Sequence, residues 1–249
     1  MNGEMMMKIF ASDLDGTLFF KNIEKGYKQG DIEAIKKFQE AGNLFGCCTG
    51  RALNGTVPSF ENLLTCDFYI VSSGAVICDR DLNIIYDCPI NLEVAKKMVE
   101  EYKNQVTIFV QTLRYYILTK GYPEDVFKYI ESLDEIQNEK IYGICLITED
   151  HDLLDKIEIE VKEKYPEVSG FKNIDAIDVV AKGCSKGIAV NKVKQLLNAD
   201  YSYGIGDSYN DIPLIQEADC GITFYSSPIK VKNEADLIVN SIEEALQNV

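Results

Sequence analysis

Short apolar runs alternate with amphipathic stretches at both ends of the chain, and this alternation constrains the fold more than any other sequence feature. The apolar runs Met6–Ser12, Leu44–Cys48 and Tyr201–Ile205 have strand length, whereas Asp31–Ala41 and Gly187–Leu197 carry apolar residues at helical spacing. Parallel strands need a crossover connection, so strands that alternate with helices indicate βαβ units. Further strands are predicted at Asp67–Ser72, Cys220–Phe224 and Leu237–Val239, and further helices at Pro213–Ala218 and Ser241–Gln247. The sequence therefore predicts an α/β domain built on a parallel sheet.

Residues 81–180 follow a different pattern, in which predicted helices are interleaved with pairs of strands. The helices are expected at Asn91–Lys103, Glu124–Ser132 and Leu153–Tyr165, and the strands at Val106–Val110, Tyr115–Thr119, Ile141–Thr148 and within 171–180. Hairpins mixed with helices are typical of an α+β module. We therefore predict a core domain of residues 1–80 and 181–249, with an α+β domain of residues 81–180 inserted into it.

Composition argues against several classes of partner. The 249 residues include 40 acidic and 25 basic side chains, for a net charge of −15, and such a charge repels the phosphates of a nucleic acid. No apolar stretch approaches the ~18 residues of a membrane-spanning helix. The N-terminal MNGEMMMKIF lacks the basic region and the cleavage site of a secretion signal. We expect no nucleic-acid partner, no membrane segment and a cytoplasmic location.

Histidine and cysteine usage narrows the chemistry further. His151 is the single histidine, so a zinc site with several histidines is impossible. Its acidic neighbours favour an exposed helix start. The eight cysteines form no C-x-x-C pair, and most of them lie in apolar runs, which predicts buried, reduced thiols.

Four polar segments fall where predicted strands end or a helix begins, at the edge of the sheet where ligands bind in open parallel folds. The first is DLDGT at residues 13–17, directly after the first apolar run. Its two carboxylates, Asp13 and Asp15, can divide the work of catalysis. One can attack or bind a metal while the other transfers a proton.

The second and third segments offer groups that hold an anion. Thr49 and Gly50 follow the strand predicted at Leu44–Cys48, and Lys186 stands where a helix begins. A threonine hydroxyl with a glycine N–H can grip phosphoryl oxygens, and a lysine supplies positive charge. Taken alone, the Thr-Gly pair is equally a turn, and the lysine is equally a solvated helix start.

The fourth segment, GDSYND at residues 206–211, follows the strand predicted at Tyr201–Ile205. Its two acids and its asparagine supply the oxygen ligands that Mg²⁺ prefers. A helix N-cap is an alternative role for Asp211, and it suits Asp207 less well.

In this order, the four segments resemble motifs one to four of the haloacid dehalogenase-like (HAD) hydrolases, and most closely those of the Cof-type small-metabolite phosphatases. The resemblance covers residues 6–77 and 181–249. It implies a Rossmann-like core with a parallel sheet and Mg²⁺ as the cofactor. It also implies a small phosphorylated metabolite as the substrate, with a sugar phosphate as the expected class.

The resemblance implies a catalytic role for five residues. Asp13 is expected to be the nucleophile that forms an aspartyl-phosphate. Asp15 is expected to protonate the leaving alcohol and then to activate the hydrolytic water. Thr49 and the Gly50 amide would hold the phosphoryl group, and Lys186 would neutralise charge on Asp13 and the phosphate.

The resemblance also implies a magnesium site. Its ligands are expected to be Asp13, the main-chain carbonyl of Asp15, and Asp207. Asn210 is expected on the substrate side and Asp211 in support of the metal ligands.

Chain spacing indicates where the inserted domain lies. The 137 positions from Thr49 to Lys186 far exceed one crossover connection, so the insertion falls between the second and third motifs. In the family that the motifs resemble, this is the type II cap, which roofs the site and excludes bulk water.

Two other functions use the same residues. A phosphomutase or phosphotransferase would pass the phosphoryl group from the aspartyl-phosphate to a second sugar hydroxyl. A non-catalytic module that binds phosphorylated metabolites would keep the fold alone, but the intact motif residues favour an enzyme. A receiver-type signalling domain would not need so long an insertion, and we rank it lowest.

Other positions are left without a role. Ser73 stands where the Cof-type pattern has asparagine. Gln111, Arg114, Tyr115 and Tyr116 are candidates to face the leaving group, although core packing for the tyrosines and an exposed turn for the arginine explain them as well. Nothing in the sequence predicts an oligomeric state.

Overall fold

The computed structural model describes residues 6–60, 63–123 and 126–249, and within them the strands form two sheets. The strands are β1 (Lys8–Ser12), β2 (Leu44–Cys48), β3 (Phe68–Val71), β4 (Val76–Asp79), β5 (Ile84–Asp87), β6 (Thr107–Gln111), β7 (Tyr115–Ile117), β8 (Phe127–Tyr129), β9 (Gly143–Ile147), β10 (Val168–Lys172), β11 (Ala176–Ala181), β12 (Tyr201–Ile205), β13 (Cys220–Phe224) and β14 (Leu237–Val239). The helices are α1 (Gln29–Glu40), α2 (Leu53–Thr56), α3 (Leu92–Tyr102), α4 (His151–Lys164), α5 (Lys186–Leu196), α6 (Ile212–Glu217), α7 (Ile229–Lys232) and α8 (Ile242–Gln247).

The first sheet has eight strands in the order β14-β13-β12-β1-β2-β3-β4-β5. The pairs from β14 to β3 are parallel, which confirms the predicted α/β fold. These strands are buried on both faces, so they read in the sequence as continuous apolar runs. The strand order reverses beside β1, because β2 and β12 lie on its two sides. Open parallel sheets bind ligands at such a reversal, outside the carboxyl ends of the strands.

Strands β4 and β5 extend this sheet in the antiparallel direction, and the sequence analysis did not predict them. The turn between them is closed by Asp79, whose Oδ1 accepts hydrogen bonds from the N–H groups of Asp81 and Asn83 at 3.0 and 2.8 Å. Strand β5 thus pairs within the first sheet although it lies after residue 80.

The second sheet has six strands in the order β10-β11-β9-β6-β7-β8. All of its pairs are antiparallel except β7 with β8. Buried residues of α3 and α4, such as Met98 and Ile157, belong to the same apolar cluster as buried residues of β6 and β9. Helices against a mostly antiparallel sheet make this part of the chain α+β, as predicted.

The helix predicted at Glu124–Ser132 is wrong where the structure describes it. Glu124 and Asp125 lie outside the described residues, and Phe127–Tyr129 forms strand β8. Phe127 stacks on Phe109 with ring centroids 4.7 Å apart, and β8 pairs with β7. These contacts join residues that are distant in the chain, so they override the local helical spacing.

Several predictions concern the surface and the thiols. His151 is exposed at the start of α4, as expected. All eight cysteines are free thiols, and five of them are buried. No helix of the described residues is both long and apolar enough to cross a membrane. Residues 1–5, on which the absence of a secretion signal was partly argued, lie outside the described residues.

Candidate active site

Three carboxylates and one lysine meet beyond the carboxyl ends of β1 and β12. Asp13 follows β1, Asp207 and Asp211 follow β12, and Lys186 is the first residue of α5. Carboxylate oxygens of the three acids lie within 4.8 Å of one another. The Lys186 Nζ donates to Asp13 Oδ1 and to Asp211 Oδ1, each at 2.6 Å. The structure thus brings together four residues that the sequence placed in three separate motifs.

This cluster carries more negative than positive charge. Burial, followed by the charge of Asp211, raises the pKa of Asp13 to about 8, although Lys186 opposes the shift. The same two causes raise the pKa of Asp207 to about 6. Burial disfavours the charged form of Lys186, but the charges of Asp13 and Asp211 outweigh burial and raise the pKa of this lysine. Its side chain therefore stays positively charged. Ligands that are all oxygen, with charge left uncompensated, fit a hard cation such as Mg²⁺.

The DLDGT turn shapes the space around Asp207. Gly16 has φ +87°, and a Cβ at this position would lie 2.8 Å from Asp207 Oδ2. The hydroxyl of Thr17 donates to Asp207 Oδ1 at 2.9 Å. Residues 16 and 17 therefore position a carboxylate that is 190 residues away in the chain. Thr17 belongs to the DLDGT segment, but this role was not predicted from the sequence.

Asp211 holds both the loop and the lysine. Its Oδ2 accepts hydrogen bonds from the N–H groups of Asp207 and Ser208, each at 3.1 Å, while its Oδ1 accepts from Lys186. Asp211 occupies the N-cap position of α6, but its side chain makes no capping hydrogen bond there. It is instead the third residue of the short 3-10 helix Tyr209–Asp211, in a capping box whose N-cap is Ser208. Ser208 Oγ donates to Asn210 Oδ1 at 2.6 Å.

Thr49 and Gly50 form the adjoining wall, after β2. Thr49 is buried, and its Oγ1 accepts from the N–H of Arg51 at 3.2 Å. A Cβ at Gly50 would lie 2.8 Å from Asp178 Oδ2, so a larger residue here would displace the Asp178 side chain of β11. The Gly50 carbonyl accepts from Gln111 Nε2 at 3.1 Å, which ties this wall to the second sheet.

Arg51 is a residue that the sequence analysis missed. Its Nε and Nη2 donate to the two oxygens of Asp15 at 2.7 and 2.5 Å. Its Nη1 donates to the Gly55 carbonyl at 3.1 Å and to Ser59 Oγ at 3.0 Å. The Asp15 side chain therefore faces Arg51. The only available signal was the position of this arginine directly after Thr-Gly.

Ser73 lies in a loop of three residues with positive φ. Ser72, Ser73 and Gly74 have φ of +48°, +52° and +96°, and asparagine is among the non-glycine residues that adopt this conformation most readily. A Cβ at Gly74 would lie 2.2 Å from the carbonyl oxygen of Ser185. This loop therefore packs on the start of α5 and helps to position Lys186.

A cavity of about 430 Å³ opens above the cluster. On the side of the first sheet it is lined by Asp13, Asp15, Thr49, Gly50, Ser208 and Asn210, among others. On the other side, Gln111 and Tyr115 line it. Arg114 is exposed and is not among the described residues that line the cavity. Tyr116 is buried, and its hydroxyl donates to Glu139 Oε1.

Comparison with known proteins gives a consistent result. A family model described as haloacid dehalogenase-like hydrolase matches residues 10–246. The 5-amino-6-(5-phospho-D-ribitylamino)uracil phosphatase YcsE of Bacillus subtilis is 25% identical over 244 residues, which cover 94% of this chain and 90% of the relative.

Solved structures agree in fold along nearly the whole chain. A haloacid dehalogenase-like hydrolase from B. subtilis superposes with a TM-score of 0.85 at 21% identity, over 96% of each chain. The HAD subclass IIB sugar phosphatase BT4131 superposes with a TM-score of 0.81 at 21% identity, over 97% of this chain and 98% of the other.

Proposed function

Because the chain belongs to the haloacid dehalogenase-like hydrolases and is a phosphatase of their Cof type, we propose that it hydrolyses a small phosphorylated metabolite with Mg²⁺. The observation that carries the proposal is the buried Asp13, held 2.6 Å from the Lys186 ammonium in the cluster with Asp207 and Asp211. A dianionic phosphate can approach this aspartate only where cations cancel the repulsion.

Each residue has a part in the proposed reaction. An Asp13 carboxylate oxygen attacks the phosphorus, and the bond to the alcohol oxygen breaks as Asp15 gives that oxygen a proton. Asp15 then takes a proton from the water that attacks the aspartyl-phosphate, which releases inorganic phosphate and restores Asp13. Thr49 and the Gly50 amide hold the phosphoryl oxygens.

The remaining groups offset the negative charge of Asp13 and the phosphate, or hold the groups that do so. Lys186 offsets the charge on Asp13 throughout both steps. Mg²⁺, held by Asp13, Asp207 and the main-chain carbonyl of Asp15, would supply the positive charge that one lysine lacks. Asp211 keeps Lys186 and the loop that carries Asp207 in place, and Asn210 lies at the substrate side.

We also propose that residues 81–180 act as the cap that the motif spacing predicts. Two contacts between the sheets support this. Gln111 donates to the Gly50 carbonyl, and the N–H of Ala52 donates to the Tyr115 hydroxyl at 2.9 Å. A roof anchored at these points would exclude bulk water from the aspartyl-phosphate.

The experiment is phosphate release from a panel of phosphorylated metabolites, including hexose phosphates, in the presence of Mg²⁺. We expect inorganic phosphate from the wild type and a loss of at least about 10³-fold in Asp13→Asn, since the nucleophile is removed. Asp31→Asn is the matched control, because Asp31 is also buried but accepts from the N–H of Glu243 at the start of α8.

Other outcomes of the same assay would identify the alternative functions. An isomeric sugar phosphate in place of inorganic phosphate would indicate a mutase. Binding of the esters without any product would indicate a module that only binds. Phosphate release that persists in Asp13→Asn would contradict the covalent mechanism.

A further inference from the structure

Three aromatic residues, Phe109, Tyr115 and Phe127, line the cavity on the side of the second sheet. Phe109 and Phe127 stack with centroids 4.7 Å apart and planes 22° apart. Tyr115 meets the Phe109 ring edge-on at 6.4 Å, and Tyr122, outside the residues that line the cavity, does so at 5.4 Å. Rings that hold one another in this way present a preformed apolar surface, which we call the aromatic wall.

The other residues on this side of the cavity are divided between apolar and polar. The apolar ones are Val126, Cys145 and Ile147, and the polar ones are Gln111, Asn173 and Asp178. A sugar can pack a C–H face on the aromatic wall, but its hydroxyl groups would lose water without gaining partners there. A flat apolar group would be buried at little cost.

Positive charge is scarce around the cavity. Of the described residues that line it, Arg51 carries the one positive charge. Its donors are already engaged by Asp15, Gly55 and Ser59. A second phosphate or a carboxylate on the leaving group would therefore find no counter-ion among these residues.

Asp178 is an acceptor that a ligand can reach on this side. The Oε1 of Gln111 is fully buried next to Gly143, and its Nε2 donates to the Gly50 carbonyl. Asp178 Oδ2 lies 3.4 Å from Ser73 Oγ, and the Asp178 side chain borders the cavity. This carboxylate can accept further hydrogen bonds, so it favours a ligand that brings N–H or O–H donors.

We propose that the alcohol released by this enzyme carries a planar aromatic or heteroaromatic ring, which lies on the aromatic wall and turns donors toward Asp178. The same alcohol carries no second anionic group. The inference rests on the proposed phosphatase function and narrows its substrate class. A cavity of about 430 Å³ has the size of a small-molecule site.

The test compares benzyl phosphate with cyclohexylmethyl phosphate, because both esters release a primary alcohol and differ in the planarity of the ring. We expect kcat/KM with Mg²⁺ to favour benzyl phosphate by about two- to tenfold, the range of a stacking contact. We expect glucose 6-phosphate and 4-carboxybenzyl phosphate to be slower than benzyl phosphate. Equal kcat/KM for the two ring esters would overturn the proposal, as would a preference for glucose 6-phosphate.

Two variants locate the preference in the aromatic wall. Phe127→Leu keeps an apolar side chain but removes the ring, so the ratio between the two esters is expected to fall to about one. Phe171→Leu makes the same change on β10 of the same sheet, outside the residues that line the cavity, and is expected to keep the ratio. If Phe127→Leu kept the wild-type ratio of kcat/KM for the two esters, the aromatic wall would not be the source of the preference. The ratio in the wild type tests whether the enzyme prefers a planar ring in the substrate.

Failure of the proposed function gives a different result, namely no phosphate from any ester. The ring preference is then measured as binding, by calorimetric titration of the wild type with the two ring esters in the presence of Mg²⁺. A two- to tenfold tighter dissociation constant for benzyl phosphate is expected. Equal constants would overturn the inference by this route as well.

Discussion

The guanidinium of Arg51 holds both carboxylate oxygens of Asp15, with Nε 2.7 Å from Oδ2 and Nη2 2.5 Å from Oδ1. The side chains are 25% and 46% exposed, so the pair contributes little to the free energy of unfolding. A two-point contact instead fixes the plane of the carboxylate. The role of the Arg51–Asp15 contact in the proposed reaction is therefore to orient the Asp15 carboxylate.

Arg51→Lys keeps the charge but cannot make a two-point contact. We expect kcat to fall at least about tenfold with a smaller change in KM, because positioned acid–base catalysis contributes about 10²–10⁴-fold. Steady-state kinetics measure both constants, and Arg80→Lys, at an exposed ion pair with Asp67, is the control. A raised KM with unchanged kcat would mean that Arg51 binds substrate and does not position Asp15.

Gly16→Ala and Gly42→Ala form a matched pair, since the two glycines have φ of +87° and +86°. Either alanine costs about 1–2 kcal/mol of stability from the left-handed backbone. A Cβ at Gly16 also meets Asp207 Oδ2, whereas a Cβ at Gly42 has nothing within 4 Å. We expect similar losses in denaturant unfolding, but a loss of phosphatase activity only in Gly16→Ala. Equal activity in the two variants would show that the space beside Asp207 does not matter.

Lys186→Met leaves Asp13 and Asp211 without their shared partner. Removing one side of a buried ion pair costs about 3–5 kcal/mol, and we expect this loss in urea unfolding together with loss of activity. Lys194→Met is the matched control, because Lys194 lies 2.6 Å from Asp219 at partly exposed positions and is expected to cost under about 1 kcal/mol. Similar costs for the two lysines would contradict the burial argument.

Asp207→Asn separates metal binding from charge repulsion. We expect millimolar Mg²⁺ to raise the melting temperature of the wild type and to have little effect on the variant, because a ligand that binds only the folded state stabilises it. In EDTA we expect the variant to be the more stable protein, since Asp207 is crowded by Asp211. A wild type that Mg²⁺ leaves unchanged would argue against the metal site.

Asp178→Asn tests the half-buried carboxyl that borders the cavity through the pH dependence of the free energy of unfolding. Burial raises the pKa of Asp178 above the ordinary value of 3.8, so the folded state binds this proton more tightly than the unfolded chain. Its stabilising effect is therefore complete below pH 3.8 and is lost as the pH rises through the raised pKa. Asparagine has no such dependence, and we expect the stability of the variant relative to wild type to increase from pH 4 upward.

The free energy of unfolding of wild type and Asp178→Asn is measured by urea unfolding at several pH values. Asp79→Asn is the control, and its pH dependence is expected to have the opposite sign. Hydrogen bonds from Asn83 lower the pKa of Asp79, so the stability that Asp79 contributes is present at neutral pH and is lost as the pH falls. A relative stability of Asp178→Asn that does not change with pH would contradict the assigned cause.

Much of the first sheet was predictable, because its parallel strands are buried on both faces and read as unbroken apolar runs. Strands β2, β12, β13 and β14 have the bounds that the sequence predicts. Strand β8 was not predictable, since Phe127 is held in it by Phe109 and by β7. The domain boundaries at residues 80 and 181 stay a prediction.

The sequence by itself determined the family, because the residue types and the order of four short motifs can be read along the chain without knowledge of any contact. Only the tertiary structure decided which groups touch. Lys186 reaches Asp13 across 173 positions, Arg51 pairs with Asp15 across 36, and the second sheet sets an aromatic wall above them. Hydrophobic periodicity predicts whether a segment is a helix or a strand and which of its residues are buried. The contacts between segments depend on the strand order, which reverses beside β1 and brings distant residues to one edge.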